Sequence, residues 1–183
     1  YFLLPEDYID FTQSALSSIF FISNFFFHLT GKTYGADNTH ESLLHTWSLS
    51  IEEQFYIIFP IITIFLIKFF KRKLLEIFIF IFLISLILAQ WGFQNHPSVN
   101  FYFIFTRAWE LIAGIIIAIL HLRGSSKINI QLQSFIYYLS FSIIIFSIFF
   151  FSEELKHPSL FTLPLILGTS LIIYLTPKKN VCY

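Results

Sequence analysis

The chain has 183 residues, of which 56% are hydrophobic, 21% are aromatic and only 12% are charged. Soluble domains carry about twice that charged fraction, so the composition excludes an ordinary soluble protein and indicates an integral membrane protein. Eleven basic and eleven acidic side chains cancel, which gives no net attraction to nucleic acid, and the single cysteine, Cys182, excludes a disulfide framework and a Cys-based metal site.

Six apolar stretches approach the roughly 20 residues that a helix needs to cross a bilayer. In lipid every backbone polar group needs an internal partner, so these Phe- and Ile-rich stretches predict helices, not open strands. The fold class predicted is all-α: a single polytopic transmembrane helical bundle over residues 1–183, with five spanning helices and a first helix that spans or re-enters. The stretches are approximately 11–30, 49–70, 74–93, 102–121, 133–151 and 159–176.

The first stretch differs from the others because it carries polar side chains at helical spacing. Ser14, Ser17, Asn24 and His28 follow one another at intervals of three, seven and four residues. Such a stripe is typical of a helix that lines a cavity or that dips into the membrane from one side. We favour a re-entrant helix here, and a spanning helix stays the alternative.

The positions of lysine and arginine predict the orientation of the bundle. Most basic residues fall between the second and third stretches, between the fourth and fifth, and after the sixth, which places all of these segments on one side. By the positive-inside rule that side is cytoplasmic. The loops predicted on the outer side are 31–48, 94–101 and 152–158.

A polar segment leads directly into the second apolar stretch. If a helix begins near His45, then His45, Ser48 and Glu52 share one face at the outer edge of the membrane. An interfacially anchored helix with Trp47 and Tyr56 as belt aromatics is the plain alternative to a functional site. A Ser-His-Glu hydrolase triad is disfavoured, because a nucleophile and a base on one rigid helix seldom meet.

The fourth stretch contains Arg107 and Glu110 within an apolar helix. Charged side chains inside a span are costly, so their presence suggests a role beyond packing, although the two can also simply pair at this spacing. We hypothesise that Glu52, Arg107 and Glu110 line one polar cavity that opens to the outer face. The histidines show no metalloprotease-like spacing, so no metal site is predicted.

At these motifs the chain resembles a known family. The string HTWSLSIEEQFY at 45–56, followed by Pro60 in an apolar helix, is similar to the hallmark of acyltransferase family 3. The resemblance extends upstream to Phe21–Asn24 and downstream to Thr106–Gly114. Members of this family are bacterial membrane O-acyltransferases that modify cell-surface glycans.

The resemblance implies transfer of an acyl group, commonly acetyl, from a cytoplasmic acyl-CoA to a hydroxyl of a glycan such as lipopolysaccharide O-antigen or exopolysaccharide. Acetyl-CoA or another acyl-CoA is then a donor substrate, with no permanently bound cofactor. The expected location is the bacterial inner membrane, and the expected partners are the lipid bilayer and the glycan acceptor. A transporter or flippase for a polar or lipid-linked substrate is the alternative, but it would call for polar residues through the whole membrane thickness. A structural subunit would leave the charged pair unexplained.

The same resemblance gives the candidate site. Glu52 is expected to orient a histidine base or to position the acceptor, not to act as the nucleophile. Family members carry an essential His and Arg in a first helix and an Arg-x-x-Arg loop, neither of which we locate in this chain. Since the chain also lacks methionine and starts at Tyr1, we expect a fragment that lacks the N-terminal helices and is inactive alone. The candidates are, for catalysis, Glu52, His45, Arg107 and Glu110, and, for substrate contact, Trp47, Ser48, Tyr56 and Asn24.

Overall fold

The computed structural model describes residues 5–31, 43–124, 129–150 and 158–176, and these fold into helices joined by short connections. No strand occurs within these ranges, so the all-α helical bundle predicted from the sequence is confirmed. Two 3₁₀ turns, Lys71–Lys73 and Leu160–Thr162, precede the fourth and eighth helices. The helices are α1 (Pro5–Ile19), α2 (Ser23–Thr30), α3 (Thr46–Phe70), α4 (Leu74–Asn95), α5 (Pro97–Tyr102), α6 (Ile104–Arg123), α7 (Ile130–Phe150) and α8 (Leu163–Leu175).

The first apolar stretch is two helices instead of one. At the end of α1 the amide of Ile22 donates to the Ser17 carbonyl at 2.9 Å and the amide of Phe21 donates to the Ser18 carbonyl at 3.1 Å. This pair of bonds is a Schellman motif, with Phe21 at φ 56° in the left-handed position that glycine normally occupies. With 15 and 8 residues, α1 and α2 are each too short to cross a bilayer alone. The continuous first helix predicted over 11–30 is therefore wrong.

The left-handed backbone at Phe21 yields a stability prediction. A side chain in this conformation costs about 1 kcal/mol or more relative to glycine. Phe21→Gly is therefore expected to be about 1 kcal/mol more stable than Phe21→Ala, since both variants lose the same partly exposed ring. Thermal unfolding in detergent, followed by circular dichroism, measures the difference. Equal stability of the two variants would contradict the left-handed assignment.

Within the described residues, three helical stretches are long and apolar enough to cross a membrane: Thr46–Asn95, Pro97–Arg123 and Ile130–Phe149. The first of them contains both α3 and α4, which are joined at the exposed basic turn Lys71–Lys73. The apolar helix Leu160–Leu175 is shorter than this length criterion. The sequence placed α3, α4, α6 and α7 within a few residues, whereas α3 begins at Thr46, inside the predicted outer loop.

The three predicted outer loops have different outcomes. Residues 32–42 of the first loop and 152–157 of the third lie outside the described residues. The second loop, 94–101, is mostly helical, because α4 continues to Asn95 and α5 begins at Pro97. Pro97 suits the first position of α5. A backbone N–H at that position would have no intrahelical acceptor, so proline loses no hydrogen bond by lacking one.

Close helix contacts are made through small and hydroxyl-bearing residues. The strongest packing joins α4 to α6 and α7 to α8. Between α4 and α6, the Ser85 hydroxyl donates to the Phe105 carbonyl at 2.6 Å and accepts the Trp109 amide at 3.0 Å. Gly92 of α4 allows Asn100 of α5 to approach, because a Cβ at Gly92 would lie 2.8 Å from the Asn100 Oδ1. Within a bilayer the hydrophobic effect does not drive helices together, so close packing and hydrogen bonds of this kind stabilise their association.

The apolar interior consists of two clusters. One joins α3, α4 and α6, and the other joins α2, α5 and the start of α3. The second cluster lies at the end of the bundle where α4 stops and α6 begins. It therefore fixes the position of α5 against the first turns of α3 and forms the base of the candidate site. Its buried members are Phe27, Leu44, Trp47, Ile51 and Tyr102.

Candidate active site: an arginine stacked on a tryptophan

The site begins with a break between two helices. Phe103 takes an extended conformation (φ −102°, ψ 140°), so α5 ends and α6 starts in a new direction. The last carbonyl groups of α5 then lack helical partners, and side chains from the first turn of α6 bind them. The Thr106 hydroxyl donates to the Asn100 carbonyl at 2.7 Å, and Arg107 Nε donates to the Phe101 carbonyl at 2.9 Å.

The Arg107 guanidinium lies against two aromatic rings. Its central carbon is 4.5 Å from the centroid of the Trp47 ring and 5.0 Å from that of Phe101. The two rings contact each other, with centroids 4.3 Å apart. A cation over an aromatic face gains about 0.5–2 kcal/mol, more as it loses water. Trp47 is only 8% exposed and therefore serves as a fixed platform for the half-buried arginine.

The terminal N–H groups of Arg107 are the part of this arrangement that can bind a ligand. Within the described part of the chain, Nε donates to the Phe101 carbonyl and the Nη groups donate to no protein atom. These Nη groups are also not among the fully buried polar atoms that lack a partner. Arg107 therefore has a fixed stem and a planar pair of donors available to an external oxygen, which suits a carboxylate, a phosphate or a developing oxyanion.

Glu110 follows Arg107 by three residues on α6 and is half-buried. No ion pair joins the two side chains among the described residues, so the simple i, i+3 pair considered from the sequence is not formed. Arg107 instead takes its direct contacts from Phe101 and Trp47.

The remaining candidates on α3 lie on a different face from Trp47. The buried face of the first turns of α3 carries Thr46, Trp47, Ser50 and Ile51. His45, Glu52 and Tyr56 are exposed and Ser48 is half-buried, and the helix begins at Thr46, directly after His45. The Ser48 hydroxyl donates to the His45 carbonyl at 3.2 Å, which is a local bond within the helix start.

The structure therefore brings Trp47 to Arg107 and does not bring Glu52 into contact with it. Within the described residues Glu52 forms no hydrogen bond or ion pair with Arg107 or Glu110. A common cavity for Glu52, Arg107 and Glu110 stays a prediction.

Asn24 occupies a position that differs from the substrate contact expected from the sequence. It is fully buried, and its Nδ2 donates to the Tyr102 carbonyl at 3.0 Å. Its Oδ1 accepts the Gln54 Nε2 at 2.9 Å, and the same Nε2 also donates to the Phe21 carbonyl at 2.8 Å. Both ends of the Asn24 carboxamide are thus bound to protein atoms. No role was predicted for Gln54, although it lies within the 45–56 string.

A cluster of hydroxyl groups beside this amide pair was also missed. Ser18 and Thr46 are 2.7 Å apart at their hydroxyl oxygens, as are Ser23 and Ser50, and the Thr46 hydroxyl donates to that of Ser23 at 3.1 Å. These short side chains allow α1, α2 and α3 to meet closely. The i, i+4 spacing of Thr46 and Ser50 was the available signal, since it puts both on one face. Ser14 and Ser17 of the predicted polar stripe are buried as well, and they donate to carbonyl groups of α1.

Comparison with known proteins gives the following relatives. The chain is 29% identical over 174 residues to a Haemophilus influenzae protein of unassigned function, which covers 90% of the chain and 71% of that protein. It is 35% identical over 117 residues to the O-acetyltransferase OatA of Staphylococcus aureus, covering 62% of the chain and 19% of OatA. The chain thus spans about a fifth of the OatA length. No solved structure matches the chain.

The family comparison covers nearly the whole chain. Residues 8–183 match the family described as an acyltransferase domain, and this range contains the 45–56 string, Trp47 and Arg107. The chain therefore belongs to acyltransferase family 3 and is of the acyltransferase class.

Proposed function

We propose that this chain belongs to a membrane O-acyltransferase that moves an acyl group, preferentially acetyl, from acyl-CoA to a hydroxyl of a cell-surface glycan. Lipopolysaccharide O-antigen and exopolysaccharide are the acceptor classes. The observation that carries the proposal is Arg107, stacked on Trp47 with its terminal N–H groups unused by the protein, in a chain of acyltransferase family 3. The relative named as an O-acetyltransferase supports acetyl as the transferred group.

The chemistry assigns Arg107 to the step in which negative charge develops. The acceptor hydroxyl attacks the thioester carbonyl carbon, its proton passes to a base, and the carbonyl oxygen becomes an oxyanion. Collapse of this intermediate breaks the C–S bond, forms the O-acyl ester and releases the thiol of coenzyme A. A fixed guanidinium beside the oxyanion lowers the barrier, because its donors are already oriented before the charge appears.

Glu52 is proposed to act on the proton side of the same reaction. A carboxylate near an imidazole holds the ring in the useful orientation and stabilises its protonated form. His45, the residue before α3, carries one exposed imidazole, and a histidine elsewhere in the whole enzyme is the other candidate. The exposed position of Glu52 leaves it open to such a group or to the acceptor.

The proposed location is the bacterial inner membrane, with the donor on the cytoplasmic side. The basic turn Lys71–Lys73 and the end of α6 lie at one end of the bundle, and the Arg107 site lies at the other. In this proposal the acceptor approaches from the end of the bundle that carries Arg107, and the thioester end of the donor extends into the bundle from the other end to meet it. A transporter or flippase is less well supported, because the polar side-chain contacts described here gather at one end and the inner half of α3 is apolar.

The carboxylate role is tested by replacing Glu52 with glutamine and its neighbour Glu53 with glutamine as the matched control. The whole enzyme to which the chain belongs is reconstituted in lipid vesicles and supplied with radiolabelled acetyl-CoA and O-antigen or exopolysaccharide fragments. Glu52→Gln is expected to lower label transfer roughly 10–100-fold, since an oriented base is lost. Glu53→Gln is expected to stay within about twofold.

Two results would contradict the proposal. Equal rates for Glu52→Gln and the unsubstituted whole enzyme would remove Glu52 from the mechanism. No transfer of label to any hydroxyl acceptor by the unsubstituted whole enzyme would contradict acyl transfer.

A further inference from the structure

We propose that Asn24 is a positioning residue for Arg107 and acts through the backbone of Phe101 and Tyr102. The proposal builds on the proposed function in one respect, namely that Arg107 meets the reacting acyl group. Its geometric part, the control of the Arg107 side chain by Asn24, stands independently and has its own measurement.

Two neighbouring carbonyl groups link the residues. Arg107 Nε donates to the Phe101 carbonyl at 2.9 Å, and Asn24 Nδ2 donates to the adjacent Tyr102 carbonyl at 3.0 Å. Both carbonyls belong to the last turn of α5, which stops because Phe103 is extended. The acceptor that orients Arg107 is therefore one peptide unit away from the group that Asn24 holds.

Asn24 is itself fixed by α3. Its Oδ1 accepts a hydrogen bond from Gln54 at 2.9 Å, and Gln54 also binds the Phe21 carbonyl at the strained turn between α1 and α2. Gln54 lies seven residues after Trp47, which puts both on the same face of α3. One helix face thus supplies the ring on which Arg107 rests and the amide that holds Asn24.

This arrangement addresses a specific weakness of arginine as a catalytic group. A long side chain loses considerable rotamer entropy when it is held in one geometry. A ring platform and a fixed carbonyl restrict Arg107 before substrate arrives. If the Phe101–Tyr102 segment shifts, the guanidinium shifts with it, and a displacement near 1 Å lowers rates by up to about 100-fold.

The first measurement follows Arg107 directly. The chain contains three arginines, Arg72, Arg107 and Arg123, so ¹⁵N-arginine labelling gives a small set of Nε–H NMR signals, and Arg107→Lys assigns the relevant one. The Arg107 signal is expected to be shifted by the Trp47 and Phe101 rings and protected from exchange by its hydrogen bond. Asn24→Asp keeps the acceptor for Gln54 but loses the donor to Tyr102. We expect it to move the signal toward those of exposed Arg72 and Arg123 and to speed its exchange.

The control breaks a different link between the same two helices. His28 of α2 and Ser98 of α5 are hydrogen-bonded at 2.9 Å, and this bond does not involve the Phe101 or Tyr102 carbonyl. Ser98→Ala is expected to leave the Arg107 signal and the transfer rate unchanged. Should Asn24→Asp fail to fold, Gln54→Ala removes the anchor of Asn24 from a half-buried position and is expected to move the signal in the same direction.

Kinetics give the second measurement. Asn24→Asp is expected to lower kcat about tenfold with little change in KM for the acyl donor, because positioning of a group that acts on the oxyanion affects the transition state. An unmoved Arg107 signal in Asn24→Asp, or an equal shift in Ser98→Ala, would overturn the positioning role. A moved signal, together with no transferase activity in the whole enzyme, would instead support the positioning and count against the proposed function.

Discussion

Replacing Arg107 by lysine is expected to lower acyl transfer about 100-fold, and replacement by alanine about 1,000-fold. Lysine keeps the positive charge but lacks the planar pair of donors and the Nε that binds the Phe101 carbonyl. Lysine also stacks less well on the Trp47 ring, so its ammonium group is not held in one fixed position. The loss should appear in kcat more than in KM, because the interaction is strongest with the oxyanion.

The matched control for this prediction is Arg123→Lys, which changes an exposed arginine in the last turn of the same helix. It is expected to leave transfer within about twofold. Rates are measured with radiolabelled acetyl-CoA in vesicles, after circular dichroism has confirmed folding of each variant. If Arg107→Lys and Arg123→Lys transfer label equally well, Arg107 has no special role in the reaction.

Replacing Trp109 by alanine is expected to destabilise the bundle by about 3–5 kcal/mol. Trp109 is fully buried and is the largest such side chain among the described residues. It packs edge-to-face on Phe82 of α4, with ring centroids 6.0 Å apart, and its amide donates to the Ser85 hydroxyl. Alanine would leave a cavity between α4 and α6, because the surrounding helices are held too firmly to fill it.

The measurement for Trp109 is thermal unfolding in detergent, where we expect a midpoint lower by roughly 10 °C. Trp91→Ala is the matched control, since Trp91 lies on α4 but is 56% exposed. We expect it to cost less than about 1 kcal/mol. Similar losses for the two tryptophan variants would show that burial between α4 and α6 does not determine the stability of this part of the bundle.

The sequence located the long helices because their signal is local. Each of α3, α4, α6 and α7 is a continuous apolar run, and in lipid such a run has only the helix available to it. The break between α1 and α2 was not predicted, because glycine usually marks a left-handed backbone position in a sequence. Here Phe21 occupies that position. The short helix α5 was read as a loop for a related reason, since six residues are too few to show a helical period.

The candidate site, like the fold, was predicted only in part from the sequence. The polar string of α3 and the charged residues of α6 could be picked from the sequence, because charged and strongly polar side chains are rare in apolar helices. The hydrogen bond between Asn24 and Gln54 could not be predicted from the sequence, because the two residues belong to separate helices. Their other partners are backbone carbonyls, which no side-chain pattern reveals.

The sequence by itself determined that this protein is a helical membrane bundle of the acyltransferase class, and it identified Arg107 and the 45–56 string. Only the tertiary structure decided that Arg107 rests on Trp47 while Glu52 lies on the exposed face of α3. The physical reason is that a membrane helix is apolar around most of its circumference. The face that turns inward is therefore set by its neighbouring helices, and hydrophobic periodicity does not reveal it.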